Sequence, residues 1–129
     1  MKAIDTNVIV RLIARDDAEQ AAAADRIVAD NDLLILPTVL IEVEWVLRSR
    51  YKRPRAEIVT ALSLLCGQPN ATVISADAVA AALARYAAAG DFADHLHLAL
   101  AGEAGATAFV TFDRALAPAV DGGLEVQQL

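Results

Sequence analysis

The residues of this chain that can do chemistry are carboxylates placed at the ends of apolar runs. Asp5 closes KAID and precedes TNVIV, Glu42 interrupts VLIEVEWVL, Asp91 and Asp94 open DFADHLHLAL, and Asp113 follows AFVTF. Each has an ordinary alternative. Asp5 and Asp91 suit helix N-caps, Asp94 suits the positive end of a helix macrodipole, and Asp113 suits a turn. Together they point elsewhere. Three or four carboxylates gathered at one edge of a sheet repel one another and cost stability unless a cation neutralises them. All-oxygen ligation favours Mg²⁺ or Mn²⁺ over zinc. His95 and His97 are two apart on a helix and point in different directions, so they read as ordinary helix residues. An acidic Mg²⁺ site activates water and neutralises charge during attack on a phosphodiester. Asn7 is placed to hydrogen-bond a ligand carboxylate. Thr111 is placed to do the same, or to serve as an ordinary strand threonine.

Two glutamates compete within one helix. At 100° per residue, Val39, Val43, Val46 and Leu47 mark a core face, with Glu42 at its edge beside Trp45 and Val46. A partly buried, functional Glu42 is expected. Glu44 falls on the other flank, four residues before Arg48, and a surface ion pair accounts for it.

The elements that position these acids follow from apolar spacing. Lys2 to Asp5 reads as a short buried strand, followed by helices over TNVIVRLIA and AEQAAAADRIVAD. LLILP (33–37) is a strand closed by its proline, and Thr38 can cap a helix through VLIEVEWVLRSR that ends before Pro54. Another helix covers 55–66, ATVIS (71–75) is a strand, and Asp77 to Ala89 is a helix. Gly90 breaks it and Asp91 caps FADHLHLALAGEAG. AFVTF (108–112) is a strand, and LEVQQL can supply a last one. Strands separated by helices, rich in Val, Ile and Leu with little alternation, imply an α/β fold. The expected architecture is a three-layer α/β/α sandwich on a central, mainly parallel sheet. In such sheets ligands bind beyond the carboxyl ends of the strands, where these acids stand.

The chain has 129 residues, 57% hydrophobic and 22% charged, which suits one globular domain over 1–129. Its single cysteine, Cys66, lies in LSLLCG and reads as a buried thiol in a reducing compartment. No targeting segment is visible, and the uncharged stretch 58–76 is cut by Gly67, Gln68, Pro69 and Asn70, so neither a membrane span nor a membrane partner is expected and a cytoplasmic location is. The net charge of −6 argues against a general nucleic-acid-binding surface. Five of the eleven basic residues, Arg48, Arg50, Lys52, Arg53 and Arg55, nevertheless crowd into RSRYKRPR. They read equally as a solvated helix end and as contacts to an RNA backbone.

Four pieces in order, IDTNVIV, IEVEWVLRS, DFADHLHLALA and VTFDRAL, extend from residue 4 to residue 116. With these separations the chain resembles the PIN-domain ribonucleases, and within them the VapC-like toxins of bacterial toxin–antitoxin pairs. The resemblance implies a metal-dependent RNA endonuclease whose acidic quartet maps onto Asp5, Glu42, Asp94 and Asp113. Of the two acids in DFAD, Asp94 is taken as the direct ligand and Asp91 as assisting or capping. It further implies a homodimer and a small VapB-like antitoxin that covers the active site and represses their shared promoter, so that DNA is met only through the antitoxin. Hydrolysis by metal-activated water attacking in line on the phosphate is the expected reaction.

Rival readings are a catalytically silent PIN-like binding module and a phosphatase of the haloacid dehalogenase kind. The intact quartet weighs against the first. Asn7 stands where the second carries an acid, and a receiver domain is disfavoured because the only lysines are Lys2 and Lys52.

Overall fold

The computed structural model describes residues 1–116 and 124–129. The chain divides into two compact units, Met1–Ala76 and Asp77–Leu129.

The first unit is built on three short parallel strands. β1 (Lys2–Ala3), β2 (Leu33–Ile35) and β3 (Ala71–Val73) lie in the order β1-β2-β3, with Lys2 opposite Leu33 and Leu33 opposite Ala71. Helices α1 (Thr6–Ala14) and α2 (Ala18–Asp30) connect β1 to β2, while α3 (Pro37–Ser49) and α4 (Arg55–Cys66) connect β2 to β3. Ile9 and Val10 of α1, Leu33 and Ile35 of β2, Leu40, Val43 and Leu47 of α3, and Ile58 and Leu62 of α4 form the buried interior. The Asn70 amide at the start of β3 donates to the carbonyls of Val28 (2.7 Å) and Asn31 (2.8 Å), which fastens the entry of β3 to the end of α2.

The second unit carries α5 (Ala76–Ala88), α6 (Phe92–Glu103), β4 (Ala108–Thr111) and β5 (Glu125–Gln128). The two strands pair in parallel, with Ala108 opposite Glu125 and Thr111 opposite Gln128. Val79, Leu83 and Tyr86 of α5 and Phe92, Leu96 and Leu98 of α6 are buried, and the Tyr86 and Phe92 rings meet at 5.5 Å between centroids in a tilted pair. Gly90 joins the two helices at φ 86, a left-handed conformation natural to glycine.

Helical spans agree closely with those expected from spacing, and every strand pair among the described residues is parallel. Three local expectations are corrected. β1 stops at Ala3, so Asp5 lies beyond the strand as the N-cap of α1. Pro37 opens α3 and does not close β2: a proline has no N–H to leave unsatisfied at the first helical position, and its fixed φ suits the helix. Leu36 is therefore the N-cap, and Thr38 lies within the first turn. The third concerns the glutamates. The buried stripe of α3 runs Pro37, Leu40, Val43, Glu44, Leu47, so Glu44 is buried (3% exposed) while Glu42 is exposed. An apolar run around nearly the whole helix leaves the phase of the wheel undetermined, and tertiary packing sets it. The expected Glu44–Arg48 pair does form, Oε1 to Nε at 2.7 Å.

Candidate active site

In the first unit, Asp5 and Glu42 are joined through Thr6. Asp5 has an extended backbone (φ −84, ψ 164), and its Oδ1 accepts from the Thr6 N–H at 2.7 Å, capping α1. The Thr6 hydroxyl donates to Glu42 Oε2 at 3.1 Å. Thr6 itself is buried, whereas both carboxylates are exposed. Sequence reading picked out Asp5 and Asn7 and passed over the threonine between them. A signal was present: Thr6 precedes Ile9 and Val10 by three and four residues, so it falls on the apolar stripe of α1, where a hydroxyl needs a partner. Asn7 is exposed in the first turn of α1 and, with Val8, Arg11, Gln20 and Ile27, lines a cavity of about 250 Å³ between α1 and α2.

In the second unit, Asp91 is the N-cap of α6 and its Oδ1 accepts from the Asp94 N–H at 3.2 Å. Asp94 sits half-buried in the first turn. Its carboxyl is held above the usual carboxylate range, first by burial and then by the negative charges of Asp91 and Asp113, against a smaller opposing pull from His97 and His95. Asp113 is fixed by a tight turn after β4. Its N–H donates to Thr111 Oγ1 at 2.9 Å and its Oδ1 accepts from the Ala115 N–H at 2.8 Å. Thr111 thus shapes the turn that presents Asp113. Gln128 of β5 donates to the carbonyls of Asp113 (3.4 Å) and Arg114 (3.2 Å). His95 is tied to the Ala89 carbonyl through Nε2 at 2.7 Å, which supports reading it as structural.

The basic run is partly committed within the first unit. Arg48 pairs with Glu44, and Arg53 with Glu57 at 3.7 Å. Tyr51, in the middle of the run, donates its hydroxyl to Asp16 Oδ2 (2.8 Å) and accepts from Arg11 (3.0 Å), which anchors the segment to α1. That phenol hydrogen bond, with Arg11 beside it, holds the Asp16 carboxyl below its usual range. Arg50, Lys52 and Arg55 are exposed. Cys66 is half-buried, and burial pushes its thiol up to about 11, the opposite of an activated nucleophile.

The donor set is carboxylate oxygen throughout, the chemistry of a hard divalent cation. Among the described residues no three His, Cys, Asp or Glu side chains converge into a group that could hold a metal ion. No described helix is long and apolar enough to cross a membrane.

No curated protein matches the chain. The PIN domain profile matches residues 2–121. Members of that family are generally metal-dependent nucleases, and its three-layer α/β/α class requires what the described residues contain, parallel strands interleaved with six helices. A match over nearly the whole length, on a chain that presents acids after β1, within α3, at the head of α6 and after β4, establishes that this protein belongs to the PIN domain family.

Proposed function

We propose that this protein is an RNA endonuclease of the VapC-like kind, the toxin of a toxin–antitoxin pair, and that Asp5, Glu42, Asp94 and Asp113 hold Mg²⁺ or Mn²⁺. The observation that carries the reading is the state of Asp94: besides its burial, two like charges, Asp91 and Asp113, press on it, and a bound cation relieves that pressure. When bound, the cation supplies charge neutralisation at the phosphodiester and a means of activating water.

The chain's own residues do the remaining work. Thr111 and the Ala115 N–H fix Asp113. Asp91 caps α6 and so sets the turn from which Asp94 projects. Thr6 links Asp5 to Glu42. Asn7 is positioned to support a ligand by hydrogen bonding, and exposed Arg50, Lys52 and Arg55 meet the RNA backbone, with Arg48 and Arg53 in the same segment. The partners that complete the proposal are a VapB-like antitoxin, a second copy of this chain in a homodimer, and promoter DNA reached through the antitoxin, all in the cytoplasm.

A second reading is a PIN module that binds RNA or a partner without cleaving it. One experiment separates them: purified protein is incubated with total bacterial RNA and Mg²⁺ or Mn²⁺, beside EDTA and the Asp94→Asn variant. Discrete fragments that vanish in both controls are expected. Intact RNA from folded, antitoxin-free protein favours the silent module. Growth arrest on expression, relieved by coexpressing the neighbouring gene product, tests the toxin assignment.

A further inference from the structure

Thr6 touches both acids of the Met1–Ala76 unit, with its backbone N–H on Asp5 and its hydroxyl on Glu42. The arrangement inverts the usual order of burial. The neutral hydroxyl is in the interior, 6% exposed, and the two charged groups are outside it. An exposed glutamate on a helix surface ordinarily samples many rotamers. A β-branched threonine on the buried stripe beside Ile9 and Val10 has few χ1 rotamers open to it, and the one it adopts aims its Oγ1 across from α1 to Glu42 on α3. Each carboxylate spends one oxygen on Thr6, and the other has no protein partner among the described residues.

We infer that Thr6 is a positioning residue for cation binding: its hydroxyl holds Glu42, and its N–H holds Asp5, each with one oxygen turned free for a ligand. The inference rests on the proposal that Asp5 and Glu42 are metal ligands, and it assigns the work of holding them to a neutral residue that never contacts the cation. Groups that orient metal ligands in this way typically change affinity about 10- to 100-fold when removed. The ordinary alternative is a buried hydroxyl that has found an acceptor, with consequences for stability alone.

Calorimetric titration of Mn²⁺ into the full, RNA-free chain separates the two. Thr6→Val keeps the shape and removes the hydroxyl, while Thr6→Ser keeps the hydroxyl and removes the methyl. Positioning by the hydroxyl requires Thr6→Val to weaken Mn²⁺ binding about ten-fold or more, Thr6→Ser to bind like the wild type, and Thr6→Val to have no further effect in a Glu42→Gln background. Should Thr6→Val fail to fold, Thr6→Ala against Thr6→Ser repeats the comparison, since the pair differs only in the hydroxyl. Equal Mn²⁺ affinity in the wild type and the hydroxyl-free variants overturns the inference and leaves the metal site standing. A wild-type chain that binds no Mn²⁺ overturns both.

Discussion

Asp94 is where the proposed chemistry and the stability of the fold pull against each other. Its carboxyl is held above the usual range by burial and by Asp91 and Asp113. A carboxyl with a raised folded-state pKa binds more protons folded than unfolded, so it costs stability as pH rises from the unfolded value through the raised one. Below the unfolded value both states are protonated and the cost vanishes. Asp94→Asn removes the charge that Asp91 and Asp113 repel. The variant is therefore expected to melt at a higher temperature than the wild type in metal-free buffer at pH 7. The two should converge as pH falls below the carboxylate range, measured by circular dichroism melts in EDTA. The same substitution is expected to lower RNA cleavage by about 100-fold or more, since removing a group that stabilises the transition state is generally worth two to three decades of rate. A residue that stabilises on neutralisation yet abolishes activity marks a functional carboxylate, whereas a helix-capping acid loses stability when neutralised.

At the scale of the element, α3 separates its two glutamates by burial. Glu44 lies in the buried stripe and its carboxylate meets Arg48, while Glu42 is exposed and meets Thr6. Glu44→Ala is expected to cost about 1–3 kcal/mol in urea unfolding, from lost packing and a lost buried hydrogen-bonded pair, with activity per folded molecule retained. Glu42→Ala is expected to change stability by less than about 0.5 kcal/mol and to remove most of the activity. The sequence alone points to the wrong glutamate for burial, because VLIEVEWVL is apolar on nearly every side. Where one face was clearly apolar, or a cap stood at the boundary, reading was accurate: α1, α2 and α4 occupy the spans their spacing implies, and Asp91 caps α6. What spacing could not supply were contacts between elements, such as the Thr6–Glu42 bond 36 residues apart, and the tether of Tyr51 to α1. The α5–α6 junction was legible through Gly90, and it carries the next expected outcome. Gly90 has φ 86, and a Cβ there would stand 2.6 Å from His95 Nε2. Gly90→Ala thus incurs a left-handed backbone penalty of about 1–2 kcal/mol and displaces the ring that holds the Ala89 carbonyl. A lowered melting temperature, with hydrogen exchange accelerated at the first turn of α6, checks it.

Taken whole, an acidic molecule proposed to act on an acidic polymer must localise its positive potential. The net charge is −6, so in the absence of metal the long-range field opposes RNA, and binding should depend on the cation at the carboxylates and on a few exposed basic residues. Within the basic run, Arg48 and Arg53 face Glu44 and Glu57, which lowers their call on phosphate. Arg50 and Lys52 are exposed and form no ion pair among the described residues, which leaves them the better candidates for backbone contact. Each phosphate contact to single-stranded nucleic acid contributes about −0.7 to the slope of log affinity against log salt. With Asp94→Asn protein and a labelled single-stranded RNA, the Arg50→Ala/Lys52→Ala pair is therefore expected to make that slope shallower by about 1.4. The loss of affinity should be similar across RNA sequences, because phosphate contacts position the chain without reading bases. Fluorescence anisotropy from 50 to 300 mM salt, roughly the range over which such slopes are resolved, gives the measurement. An unchanged slope would remove this segment from the RNA path and leave the carboxylate-bound cation as the sole electrostatic attraction in the proposal.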